Sequence, residues 1–189
     1  MVYVVGERNV VETKKLFTEK KGVVCMVAWL RQSQSASVVL LLVRLYLGYT
    51  WITSGWGKLS GGGFATEGFL KGAIEKAAGD HPSVQGWWAA FLENFALPGA
   101  SFFNFLIPWG EFLVGLALLL GLFTTFAGLM GISMNYAFLF SGTVSINPYL
   151  ILLTTFILVA GRNAGYFGLD RLVLPYWDKK RGREQMRSR

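Results

Sequence analysis

Residues 105–123 read FLIPWGEFLVGLALLLGLF, an apolar run interrupted by one carboxylate, Glu111. A stretch of about 20 apolar residues matches a hydrocarbon core of about 30 Å. Inside that core every backbone N–H and C=O must be paired within the structure, so such a run folds as a helix. The apolar stretches 38–59, 104–123, 124–144 and 147–161 predict four such spans. The last is short and is expected to continue towards Gly165–Phe167.

Composition agrees with this reading. Hydrophobic residues make up 53% of the 189 and charged residues 15%, against about 25% charged in soluble domains. The expected fold is therefore all-α: an integral membrane four-transmembrane-helix bundle. One cysteine, Cys25, and one histidine, His81, leave no intrachain disulfide and no ligand set for bis-histidine haem, iron–sulfur or closed zinc sites.

The net charge of +7 is not spread as in a nucleic-acid-binding protein, and no nucleic-acid partner is expected. Six Lys/Arg fall in residues 1–37 and eight in 162–189, whereas 60–103 holds Lys71 and Lys76 against Glu67, Glu75, Asp80 and Glu93. Basic termini around an acidic middle follow the positive-inside bias. Both termini are expected in the cytoplasm of a bacterial or archaeal cell, with 60–103 outside its plasma membrane.

The chain divides into an N-terminal segment 1–37, a membrane domain 38–175 and a basic tail 176–189. In residues 1–25, Glu19–Gly22 has the coding character of a ribosome-binding site three codons before Met26, which makes Met26 an expected start. Within the outer loop, FATEGFLKGAIEKAAG places Phe69, Leu70, Ala73, Ile74 and Ala77 on one helical face. SVQGWWAAFLENFALP carries a second stripe that includes Trp87 and Trp88. Two amphipathic helices resting on the membrane interface are expected there. The aromatic and basic stretch after Gly161 is expected on the cytoplasmic interface, in contact with anionic lipid.

A helix rises 1.5 Å per residue, which places Glu111 about 16 Å from the inner end of its span, near Leu122. Asn135, Thr154 and Thr155 fall at similar depth, and Arg44 about 9 Å above Val38. Buried ionisable groups in membranes face the bundle interior and pair with one another. Two roles are open to Glu111: a structural partner of Arg44, or a proton or ligand site flanked by Tyr46, Tyr49 and Trp51. The glycines of the spans are expected to permit close helix approach. The lone His81 is expected to be a loop or capping residue.

Several segments together resemble DoxX/DoxD-type membrane proteins: VRLYLGYTWITSGWGKL, HPSVQGWWAAFLENFALP, GEFLVGLALLLGLFTT and GYFGLDRLVLP. The long outer loop looks most like the DoxD subunit of thiosulfate:quinone oxidoreductase. The resemblance implies a membrane subunit that passes electrons from thiosulfate or a related sulfur compound to menaquinone or ubiquinone, with a small partner subunit or a second copy of itself. It marks Arg44, Lys58, Trp87, Trp88 and Glu111. On this reading Glu111 and Arg44 are catalytic, Glu111 exchanging protons and Arg44 setting its charge. Tyr46, Tyr49, Lys58, Trp87, Trp88, Asn135 and Thr154 line the ligand site, and Lys58 draws in an anionic reductant. No metal is expected. The alternative is a non-enzymatic subunit that organises a redox or stress-response complex.

Overall fold

The structure is a computed structural model and describes residues 22–187. Expectations for residues 1–21, on which the Met26 start largely rests, and for 188–189 lie outside the described residues. Helices α1 (Gly22–Gln32) and α2 (Gln34–Ser60) are separated by Ser33, whose φ of −83° and ψ of 135° are extended. Then come α3 (Thr66–Glu75), α4 (Gly86–Phe91), a π turn at Leu92–Ala96, α5 (Ala100–Leu120), α6 (Thr124–Phe140) and α7 (Asn147–Ala160). A 3₁₀ turn (Gly161–Gly165) leads into α8 (Asp170–Arg187).

Among the described residues three segments are long and apolar enough to cross a membrane: Gln34–Ser60, Ala100–Leu120 and Asn147–Gly165. The fourth expected span, 124–144, is helical for only 17 residues as α6, about 25 Å of axis. Ser141 and Gly142, the latter at φ 73°, end it early. α2 packs against α5 and α7, and α6 packs against the same two, so the four helices close a ring. Leu40, Leu47, Leu118 and Ile157 fill its centre. The outside carries Leu42, Leu113, Leu116, Phe126, Leu152 and many other exposed large apolar side chains. A soluble monomer seldom shows so continuous an apolar surface.

The α2–α5 seam is backbone against backbone. A Cβ on Gly48 would lie 2.9 Å from Leu119 N, and one on Gly55 would lie 2.5 Å from Phe112 N. Small residues let helices approach this closely where lipid supplies no hydrophobic drive between them. These contacts also set an antiparallel register in which Gly55 faces the Pro108–Phe112 turn and Arg44 faces Gly121.

The segment between α2 and α5 folds as a cap. Leu70 and Ala73 of α3 bury against Leu92 and Ala96 of the π turn, with Phe103 of α5 beside them. The amphipathic period of α3 thus has its expected face. The second stripe is a short helix and a π turn instead of one continuous helix.

Arg44 does not meet Glu111. The expected pair fails because the register sets Arg44 opposite Gly121, ten residues from Glu111 along α5, or about 15 Å. Arg44 is buried at the opposite end of the ring, where Nη2 donates to Phe167 O at 2.8 Å and the guanidinium abuts Gly121 and Gly168. Asp170 completes this knot. Its carboxylate accepts from Phe123 N at 2.6 Å and Thr124 N at 2.9 Å, capping α6. Its own N–H donates to Gly121 O at 2.8 Å. A carboxylate at a helix N-terminus satisfies free N–H groups and complements the helix dipole. Asn163 performs a similar service at the α1–α2 break: Nδ2 donates to Leu30 O and Ser33 O, and Oδ1 accepts from Ser37 Oγ.

Candidate functional site

Glu111 faces the interior of the ring and is 1% exposed. Its partner is Lys58, one helical turn beyond Ser54 on α2. Lys58 Nζ lies 2.5 Å from Glu111 Oε2, and Ser54 Oγ donates to the same oxygen at 2.9 Å. Lys58 Nζ also donates to Ser54 Oγ at 2.9 Å. Phe64 and Phe138 present their rings to the ammonium at 5.5 and 5.9 Å. Cation–π contact and ion pairing together hold Lys58 inward. Among the described hydrogen bonds, Glu111 Oε1 accepts none.

This group forms one wall of a cavity of about 440 Å³. Trp51, Asn135 and Phe138 line it further in, and Thr143–Asn147, between α6 and α7, lie at its rim. Its size falls within the range of small-molecule sites, about 300–1,000 Å³. Leu47, Leu118 and Ile157, all essentially inaccessible, lie between it and the Arg44 knot. A larger groove of about 560 Å³ runs between α5 and α6, but it is lined by apolar groups such as Leu113, Ala117, Phe126 and Met130. Its one hydroxyl, Ser133, is spent on Leu129 O. Among the described residues no three His, Cys, Asp or Glu side chains cluster to hold a metal ion.

Of the residues expected at the site, Glu111, Lys58 and Asn135 are brought together. The others lie elsewhere. Tyr46 and Tyr49 are 51% and 65% exposed on the outer face of α2, because they sit on the side opposite Leu47, Gly48 and Trp51. Trp87 is exposed on the cap, and Trp88 donates from Nε1 to Ser141 Oγ at 3.0 Å. Thr154 is buried below the cavity, beside Gly128. Lys58 is not the open cationic mouth expected of it, since Glu111 neutralises it. Ser54 and Trp51 also line the cavity, and Ser54 is absent from the expected set. The spacing of Ser54 and Lys58, four residues apart, is the sequence signal that places both on one helical face.

An all-helical membrane-type protein with a cavity walled by an acid–lysine pair is the class these features define. Residues 39–142 match the DoxX family, and the chain belongs to that family. The match runs from α2 to the end of α6 and so contains Lys58, Glu111 and Asn135. No curated protein and no solved structure matches the chain.

Proposed function

We propose that the protein is the membrane subunit of a quinone-linked oxidoreductase of the DoxD kind, oxidising thiosulfate or a related sulfur compound. In this reading it crosses the bacterial or archaeal plasma membrane four times, with both termini cytoplasmic and the α3–α4 cap outside. The closed ring of α2, α5, α6 and α7 and the basic residues flanking it support that topology. The observation that carries the chemistry is Glu111, buried in the wall of a cavity between helices and held by Lys58 and Ser54.

Reduction of a quinone takes up two electrons and two protons. The sulfur compound loses the electrons, and Glu111 relays the protons through its unbonded Oε1. Lys58 stays paired with Glu111 and compensates the carboxylate charge when a proton leaves. The aromatic rings of Phe64, Phe69 and Phe138 suit a flat ligand. Arg44 has no part in this chemistry; it acts at the far end of the ring.

Membranes containing the protein are expected to reduce added quinone with thiosulfate or sulfite. Protein that, with its partner subunit present, neither binds quinone nor supports that reaction overturns the proposal and leaves the organising subunit as the alternative.

A further inference from the structure

Two polar side chains in the deep wall of the Glu111 cavity have no partner. Asn135 is fully buried on α6, and neither Nδ2 nor Oδ1 makes a hydrogen bond. Trp51 on α2 is 3% exposed, and its Nε1–H is likewise unpaired. Both line the cavity. They are also neighbours: the Trp51 Nε1 lies 3.2 Å from where a Cβ on Gly131 would sit, one helical turn below Asn135. Leaving a buried amide and an indole N–H unpaired costs free energy, and a leucine at 135 would avoid much of it.

We propose that Asn135 and Trp51 form the inner, carbonyl-recognising end of this cavity, opposite the Lys58–Glu111 pair, and that the site takes a neutral ring ligand bearing an acceptor oxygen there. The ligand is neutral because Lys58 and Glu111 already cancel each other. Trp51 supplies one donor. Asn135 supplies a donor and an acceptor. A ring carbonyl accepts from Trp51 Nε1 and Asn135 Nδ2; a ring hydroxyl donates to Asn135 Oδ1 and still accepts from Trp51 Nε1. One amide therefore accommodates both oxidation states of a quinone ring. The polar atoms are covered in this structure, and Asn135 reaches a ligand by turning about χ2, a broad torsion for an amide. The assignment rests on the cavity reading above but not on quinone being the ligand.

The test measures binding to the full chain in detergent by calorimetry, with two probes: menadione and the monocarbonyl ring α-tetralone. Wild-type protein is compared with Trp51→Phe, which keeps an aromatic ring and removes the donor, and with Asn135→Leu. Each variant is expected to weaken binding about tenfold, while its melting temperature stays equal or rises. A merely structural role for either residue predicts a falling melting temperature with unchanged affinity. Should Asn135→Leu fail to fold, Trp51→Phe decides alone. Binding of α-tetralone without menadione, lost in the variants, retains the assignment and removes the quinone reading. Menadione binding unaffected in folded variants overturns the assignment and leaves the quinone reading standing. If neither probe binds the wild type, the assignment is wrong.

Discussion

Lys58 and Glu111 form a charge pair across the α2–α5 seam, 2.5 Å between Nζ and Oε2, with the carboxylate 1% and the lysine side chain 22% exposed. Removing one partner of a buried pair costs about 3–5 kcal/mol, because the other charge is left without compensation. Glu111→Gln should therefore lower the melting temperature in detergent sharply. Lys58→Met combined with Glu111→Gln should restore most of the loss, since two neutral groups of similar volume pack without a stranded charge. On the proposed mechanism turnover stays lost in the double variant. A stable, fully active Glu111→Gln protein would remove Glu111 from both structure and chemistry.

Arg44 belongs with Asp170, not with Glu111. Arg44→Met is expected to reduce stability while leaving ligand affinity at the Glu111 cavity unchanged in whatever fraction folds. Asp170→Asn should act on the same unit, because its carboxylate caps α6 beside the Gly121 turn that the guanidinium abuts. In a double-mutant cycle read by thermal unfolding, Arg44→Met and Asp170→Asn should be non-additive by about 0.5–3 kcal/mol. Additive effects would mean that the two side chains are energetically separate.

The helix seam leaves no room for a methyl group. Gly55→Ala would place a Cβ against Phe112 N, a backbone atom that cannot turn aside. Overpacking of this kind costs about 1–3 kcal/mol or more, and it would also shift Ser54 and Lys58 away from Glu111. Expression and melting temperature are expected to fall together. Gly57→Ala, two residues on and with open space around it, is the control and should be close to neutral.

Tyr46 and Tyr49 face away from the cavity, so Tyr46→Phe and Tyr49→Phe are expected to change stability by less than about 0.5 kcal/mol and to leave ligand binding untouched. A clear loss of binding in either would place the ligand outside the ring.

Orientation is tested in a Cys25→Ser background, so that the introduced cysteine is the single thiol in the chain. A cysteine at Ser83, on the cap, should label with an impermeant reagent in intact cells, and one at Lys179 should not. The opposite pattern would put the cavity rim in the cytoplasm.

The helices were legible in the sequence because apolar length and period report burial directly. Expected spans at 38–59, 104–123 and 147–161 correspond to α2, α5 and α7 within a few residues. The residue pairing was not legible, because depth was counted from assumed span ends. The expectation sets Val38 level with the end of span two, whereas Arg44, six residues on, is the residue that faces Gly121. That offset puts Lys58 beside Glu111 and Arg44 beside the α5–α6 turn. A signal lies in GYFGLDR: two glycines and an acid after the last apolar run mark a tight turn that can close on the end of the bundle. Tyr46 and Tyr49 were placed at the ligand because depth fixes a layer but not a face. The unpaired state of Asn135 and Trp51 depends on three-dimensional neighbours from α5 and α7 and has no counterpart in local sequence.

Asp170 supplies the N-terminal cap of α6 from 46 residues downstream of Thr124. A ribosome delivers α6 to the membrane well before it delivers that carboxylate. Until then the first N–H groups of α6 lack the acceptor that the finished protein gives them, and this is the helix of only 17 residues. Assembly of the ring is thereby tied to completion of α7 and the turn after it. A nascent chain released before residue 170 would carry every side chain of the Glu111 cavity and still lack the clasp that seats α6 against it.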